Sequence, residues 1–332
     1  LNDRFSVMSK QHSKLRISAL LSDKRYVIYT GSGEIMNRKR VLSSFLTVII
    51  MFSAMLSGVS AQAKGGSWPK GPSTDSLVSG SAIVMEVSTG TVLYGKNIHK
   101  KRYPASITKI LTALLAAENS SPSDVVTFSK TAAYGISPGD STVSSEPGEK
   151  MTMEQCLYAI MLESANEVCL AAGEYVSGSV KNFVKLMNRR VKQLGLKDTH
   201  FNNPNGLPDP NHYTTAYDLY LIFNACIQND TFKEIISMSS YTMSIGDAAG
   251  NTHSLEVLPT NYYSLGKTEA PEGIKVFGGK TGTTDQAGCC VILYSEDMEA
   301  HPYISVIMGA EYKAFLYQEM NRLLEAEKAL SE

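Results

Sequence analysis

A chain of 332 residues, 43% hydrophobic and 19% charged, is long enough for one large domain or two modest ones. A formal net charge of −1 leaves no basic footprint for a nucleic acid. Five cysteines (Cys156, Cys169, Cys226, Cys289, Cys290) form an odd set with neither CxxC nor Cys/His ligand spacing, which argues against a disulfide framework and against a zinc cage. They are expected to be free, mostly buried thiols.

Residues 1–35 are polar, lack a clear period and precede Met36, so they are expected to be an upstream or non-native extension. Met36-Asn37-Arg38-Lys39-Arg40 is basic, Val41 to Val59 carries no charge, and Ala61-Gln62-Ala63 follows. Basic, apolar and A-x-A parts in that order predict a secretory signal over 36–63. Left uncut, the apolar run is long enough to anchor the chain in a membrane, but its Ser, Thr and Gly residues favour cleavage. A Gly/Ser/Pro-rich lead-in over 64–79 then opens a single domain over 80–330.

Within that domain, Ser81–Val87 and Thr91–Tyr94 flank Ser88-Thr89-Gly90 and predict a hairpin. Ile107, Ile110, Leu111, Leu114 and Leu115 make one buried helical stripe. Thr152 and Gln155 have capping-box spacing before the periodic run Met153, Leu157, Ile160, Met161. The stripe restarts at Val168, which makes Ser164–Asn166 a break between two helices. Val180 to Leu194 is amphipathic and is stopped by Gly195. Asn202 to Thr214 reads as an ordered loop, and Thr215 to Gln228 as helix. After Tyr241 the pattern changes to strands, the last three near Ile274–Thr283, Gly288–Tyr294 and Tyr303–Met308, with a closing helix over Ala314–Leu330. Strands at both ends with helices between predict an α+β class: an antiparallel sheet from both chain ends, flanked by helices, plus an all-helical lobe.

Three short elements carry chemistry. Ser106-Ile107-Thr108-Lys109 places a hydroxyl and an amine one helical turn apart. A serine needs a neighbouring base to attack, and a desolvated lysine can be that base. Two other Ser-x-x-Lys sequences, Ser67 to Lys70 and Ser264 to Lys267, fall in a lead-in and a loop. Ser164-Ala165-Asn166 is the only Ser-x-Asn; its hydroxyl and carboxamide could relay a proton and hold a peptide carbonyl, or simply cap the next helix. Lys280-Thr281-Gly282 is the only Lys-[Ser/Thr]-Gly, at the end of a predicted strand, where a cation and a hydroxyl can meet a carboxylate. The bland alternative is a solvated edge-strand lysine.

This ordered set resembles the penicillin-recognising serine acyltransferases. Pro104 to Lys109, Pro147-Gly148-Glu149-Lys150, Phe201 to Leu207 and His212 to Asp218 extend the likeness to the low-molecular-mass D-alanyl-D-alanine carboxypeptidases, over roughly Ser79 to Leu324. The resemblance implies a β-lactamase/transpeptidase-like fold and removal of the terminal D-Ala from peptidoglycan stem peptides. It implies Ser106 as acylated nucleophile, Lys109 as general base and Ser164 as proton relay. Asn166 would hold the substrate amide, and Lys280 and Thr281 the terminal carboxylate. The amides of Ser106 and Thr283 would form the oxyanion hole. Neither metal nor cofactor is implied, and β-lactams would be covalent inhibitors. The expected partner is a stem peptide ending in D-Ala-D-Ala, with no nucleic acid and with membrane contact only through an uncleaved signal. The enzyme would work exported, secreted or wall-associated.

Two departures stand out. Glu311-Tyr312-Lys313-Ala314 occupies the place where relatives often carry a carboxylate-binding Arg, which leaves Lys313 as the candidate. The β-rich C-terminal domain and membrane-binding helix of many relatives are not expected after the closing helix. Of the rival readings, a class A β-lactamase would need a water-activating Glu, and none occurs from Tyr175 to Lys233. A catalytically silent β-lactam sensor could lose Lys109 or Ser164, and both are present.

Overall fold

A computed structural model describes residues 77–328 and two N-terminal strands, β1 (Ser18–Ser22) and β2 (Arg25–Tyr29). The chain divides into two compact units, 1–66 and 67–332. In the first, β1 and β2 pair antiparallel inside a segment whose sequence shows no clear period. The basic segment, the apolar run and Ala61-Gln62-Ala63 lie outside the described residues, as does most of the lead-in. The last three residues of that lead-in are held: Leu77 is buried, and the Glu319 carboxylate accepts from the Val78 and Ser79 amides and from the Ser79 hydroxyl.

The second unit runs β3 (Ser81–Glu86), β4 (Thr91–Lys96), a 3-10 turn (Ala105–Thr108) leading into α1 (Lys109–Glu118), β5 (Val125–Thr127), α2 (Lys130–Tyr134), β6 (Lys150–Thr152), α3 (Met153–Tyr158), a π turn (Ala159–Glu163), α4 (Asn166–Ser177), α5 (Val180–Gln193), α6 (Ala216–Cys226), α7 (Asp230–Ser237), β7 (Tyr241–Gly246), β8 (Thr252–Val257), β9 (Lys275–Thr284), β10 (Gly288–Glu296), β11 (Pro302–Ala310) and α8 (Lys313–Glu327). The main sheet has the order β4-β3-β11-β10-β9, every neighbour antiparallel, so the chain ends do meet in one sheet as expected.

Period-2 alternation divides the core between the two faces of this sheet. Ala82, Val84, Val291, Leu293 and Ile307 face one way and pack with Leu316, Met320, Leu323 and Leu324 of α8. Ile83, Met85, Ile292, Ile304 and Val306 face the other way, into the helical lobe. Because both faces are covered, these strands are almost continuously apolar. In the lobe, α1 is buried on every side from Lys109 to Ala116, as befits a helix at the centre of its neighbours. The Thr152/Gln155 capping box forms reciprocally at the start of α3, and Gly195 takes φ +73° just past α5. The lobe differs from the all-helical expectation in one respect. It carries a second antiparallel sheet of order β5-β6-β7-β8, in which β5 and β6 have three residues each and β6 meets β7 at the single pair Lys150↔Gly246.

The closing helix also buries acid. Glu327 is wholly inaccessible, and its carboxyl accepts from Ser295 Oγ at 2.9 Å and from Ser305 Oγ at 2.8 Å. Burial pushes its pKa up to about 8, against the opposing pull of the Ser305 and Ser295 hydroxyls. The unfolded chain therefore releases a proton near the ordinary value of 4.5 that the folded protein keeps until about 8. Stability from this group falls as pH rises across that window. A tenfold difference in proton affinity between the folded and unfolded chain corresponds to about 1.4 kcal/mol, and each kcal/mol to about 2–4 °C in a domain of this size. Glu327→Gln should flatten the Tm-versus-pH curve between pH 5 and pH 9 by several degrees. Thermal melts with the same slope in both proteins would contradict this.

Candidate active site

Pro104-Ala105-Ser106 enters the lobe through a strained corner. Ala105 has φ +49°, a left-handed value rare for a residue with a Cβ. Ser106 then lies on the 3-10 turn, and α1 proper begins at Lys109, so the serine stands before the α-helix rather than opening it. The tighter turn still stacks residues three apart on one side. Lys109 Nζ donates to Ser106 Oγ at 2.8 Å, to Asn166 Oδ1 at 2.7 Å and to the Asn205 carbonyl at 2.7 Å. An ammonium has three protons, and all three are used. Lys109 is completely buried, and burial lowers its pKa to about 8 against the upward pull of Cys169, Asp140 and Glu167.

The second element sits where a π turn ends. Ser164 is left-handed at φ +65° and almost fully buried. The cap of α4 is Ala165, with no side-chain cap bond, so neither Ser164 nor Asn166 is spent on capping. The Asn166 amide donates to the Ser141 carbonyl at 2.8 Å. Glu167 Oε1 accepts from Thr142 Oγ1 at 2.7 Å and from the Val143 amide at 2.8 Å. The loop before β6 is thereby pinned against this corner.

The third element is on β9, the free edge of the main sheet. Lys280 is fully buried, with Nζ 3.2 Å from the Thr281 carbonyl. Burial, and then the charge of Lys109, push its pKa well below the ordinary lysine value. Thr281 Oγ1 shares a 2.6 Å hydrogen bond with Thr260 Oγ1, and Thr283 is exposed. A Cβ at Gly282 would lie 2.8 Å from the Ser106 nitrogen and 3.0 Å from the Ile107 nitrogen, so the strand backbone presses on the serine turn. Gly206, at φ +87°, does the same from the other side; a Cβ there would meet the Ala105 carbonyl at 1.9 Å.

These contacts bring Ser106, Lys109, Asn166 and the Lys280–Gly282 backbone to one place. They also add residues that sequence reasoning missed. Asn205 serves through its carbonyl, which no side-chain pattern reveals. Thr260 precedes β9 in a segment without periodicity. His212 Nδ1 accepts from the Asn202 amide at 3.0 Å, which leaves the Nε2 proton for Thr108 Oγ1 at 2.8 Å. Burial drops the His212 pKa to about 4, so the ring is neutral and fastens the 202–212 loop to the serine turn. The decoy Ser264 takes its hydrogen bond from Asn261 Nδ2 at 2.8 Å, while Lys267 lies over the Tyr262 ring; Ser67 and Lys70 fall outside the described residues. Lys313 is exposed at the start of α8. It stands beyond Ala310, which pairs with Cys289, itself opposite Thr283. All five cysteines are free and buried; Cys290 accepts from the Gly309 amide and behaves as a small core residue.

Known proteins resemble this chain in sequence and in fold. The family description "D-alanyl-D-alanine carboxypeptidase" matches residues 69–312. The chain is 32% identical to D-alanyl-D-alanine carboxypeptidase DacF of Bacillus subtilis, over 86% of this chain and 70% of the relative. It is 29% identical to D-alanyl-D-alanine carboxypeptidase DacD of Escherichia coli, over 83% and 70%. Among solved structures, a Streptomyces DD-transpeptidase superposes with a TM-score of 0.72 at 24% identity, covering 78% of this chain and 99% of that one, a likeness of fold. Penicillin binding protein 5 from Haemophilus influenzae gives 0.64 at 28% identity, covering 76% and 70%.

The contact at Gly282 is testable without substrate. Gly282→Ala should lower Tm by several degrees, because overpacking against backbone costs about 1–3 kcal/mol. Gly246→Ala, whose Cβ would meet only Lys150 Cβ at 3.9 Å, is the control and should melt like wild type. Indistinguishable melts for Gly282→Ala and wild type would mean that the strand does not press on the turn.

Proposed function

The chain belongs to the D-alanyl-D-alanine carboxypeptidase family and is a serine-type D,D-carboxypeptidase; from that premise we propose how its own residues perform the reaction. Enzymes of this family act on peptidoglycan peptides ending in D-Ala-D-Ala, are sensitive to β-lactams, and work outside the cytoplasm at the cell wall. The observation that carries the proposal is the 2.8 Å contact between Ser106 Oγ and a wholly buried Lys109 amine.

In the neutral form Lys109 takes the Ser106 proton, and Oγ attacks the carbonyl carbon of the penultimate D-alanine. The oxyanion develops against the Ser106 and Thr283 amides, held together by the close approach at Gly282. Collapse breaks the C–N bond, and the leaving amine takes its proton through Ser164 from Lys109. Asn166 holds the amide of the acyl chain. Lys280 and Thr281 meet the terminal carboxylate, whose negative charge offsets the repulsion that Lys109 exerts on Lys280. If Thr260 donates to Thr281, the Thr281 proton remains for the same carboxylate. Water then attacks the ester with Lys109 again as base, releasing the shortened peptide and restoring Ser106. A β-lactam enters by the same attack and stays as a slow ester.

Among the described residues no helix is long and apolar enough to cross a membrane. The route outward is proposed from the segment 36–63: export and cleavage after Ala63. N-terminal sequencing from the native host should read Lys64; a membrane-bound chain retaining 41–59 would instead make that run an anchor.

Replacing Ser106 with Ala should cut D-alanine release from a D-Ala-D-Ala peptide by about 10⁴-fold or more and abolish fluorescent penicillin labelling, with the adduct mapping to Ser106 in wild type. The acylation rate should rise about tenfold per pH unit below pH 8 and level off above it, because the folded Lys109 is charged below about 8 and neutral above. A flat profile between pH 6 and 9 would remove Lys109 as the base.

A further inference from the structure

Beyond the end of β9 lies a pocket of about 410 Å³ that the reaction above does not use. Lys101, Arg102 and Tyr103, just before the serine turn, form one wall; Tyr213 closes another, and Gln286 closes it from the turn between β9 and β10. The walls are preformed. Arg102 and Thr214 exchange backbone hydrogen bonds at 2.8 and 2.9 Å, as do His200 and Tyr213 at 2.9 Å each way. The Arg102 guanidinium is held by Ser81 Oγ at 2.7 Å and by the Gly80 carbonyl.

The order of groups along β9 gives this pocket a direction. Lys280 and Thr281 take the carboxylate of the leaving residue, and Thr283 supplies an oxyanion amide. The acyl chain therefore leaves Ser106 toward the C-terminal end of the strand. Gln286 lies past Thr283 in the turn that joins β9 to β10, on that same acyl side. A pocket in that place suits a long side chain on the residue immediately before the acyl D-alanine.

The chemistry of the walls selects what that side chain ends in. Tyr103 and Tyr213 offer rings to an alkyl stem. The charged groups lining the pocket are Lys101 and Arg102, both cationic. Lys101 Nζ sits 4.6 Å over the Tyr213 ring and 3.4 Å from Asp198, both side chains about half exposed. A surface pair of that kind contributes little and exchanges readily. An amine-ended side chain would be repelled here, whereas a carboxylate would gain a charge-assisted partner.

We propose that this pocket is a specificity subsite for an acidic, alkyl-stemmed side chain on the stem peptide, with Lys101 as its charge-selecting residue. The inference rests on the peptidase reading above for its direction, and the experiment separates the two. Two peptides differ only in the residue before D-Ala-D-Ala: 2,6-diaminopimelate, which ends in an amine and a carboxylate, or lysine, which ends in an amine alone. Calorimetry against the Ser106→Ala protein should give a Kd about five- to tenfold lower for the diacid peptide, the size of one partly exposed charge-assisted contact. Adding Lys101→Ala should bring the two within about twofold, and Gln286→Glu, on the exposed turn, should reverse the preference without touching Lys101. Equal Kd values in the Ser106→Ala protein, or a preference that survives both substitutions, overturns the subsite. D-alanine release by wild type is the separate arm: no release from either peptide sinks the peptidase reading, while a Kd ratio that follows Lys101 and Gln286 still upholds the pocket.

Discussion

A lysine side chain taken entirely out of water is the constraint on which the rest of this site depends. Desolvating an ammonium costs several kcal/mol unless its protons are matched. Lys109 matches all three, and its partners come from three separate stretches of chain: the serine turn, the start of α4 and the 202–212 loop. Each stretch is in turn fixed by something else. His212 ties the loop to Thr108, and Glu167 and the Asn166 amide tie the loop before β6 to α4. Removing any one partner leaves a buried charge uncompensated, so geometry and protonation state are one property here rather than two.

Close backbone approach supplies the second constraint. The third element can touch the first only because Gly282 has no Cβ, and the 202–212 loop can close over Ala105 only because Gly206 has none and accepts a positive φ. The strain at Ala105 and the left-handed Ser164 lie at the same place. Backbone conformations that most side chains disfavour persist where the surroundings over-determine them. Here the surroundings are the Lys109 network and the packed edge of the main sheet.

Much of this was legible in the chain itself. Runs of β-forming apolar residues placed β3, β10 and β11, because a sheet covered on both faces leaves few polar positions along its strands. The Thr152/Gln155 box and Gly195 marked helix ends through local chemistry that tertiary context did not override. Of the β5-β6-β7-β8 sheet, the change to strand pattern after Tyr241 was legible, where β7 and β8 have six residues each. β5 and β6 were not, because three-residue strands show no period. Ser106 was expected to open an α-helix, because a 3-10 turn of four residues has the same apolar spacing as the first turn of a longer helix. Of the candidate site, Ser106, Lys109 and Asn166 meet through the Lys109 amine, and β9 reaches the serine turn through its backbone at Gly282. Groups that act through backbone, such as the Asn205 carbonyl, or through a neighbour, such as Thr260, carry no sequence signal.

Lys280 completes the argument. Two buried amines near one another cannot both be comfortably charged, and the depressed pKa of Lys280, caused by burial and then by Lys109, expresses that conflict. On the roles proposed for these residues, a terminal carboxylate bound beside Lys280 would offset that repulsion with a negative charge. A carboxylate-free acyl donor would forfeit the offset as well as the direct contact.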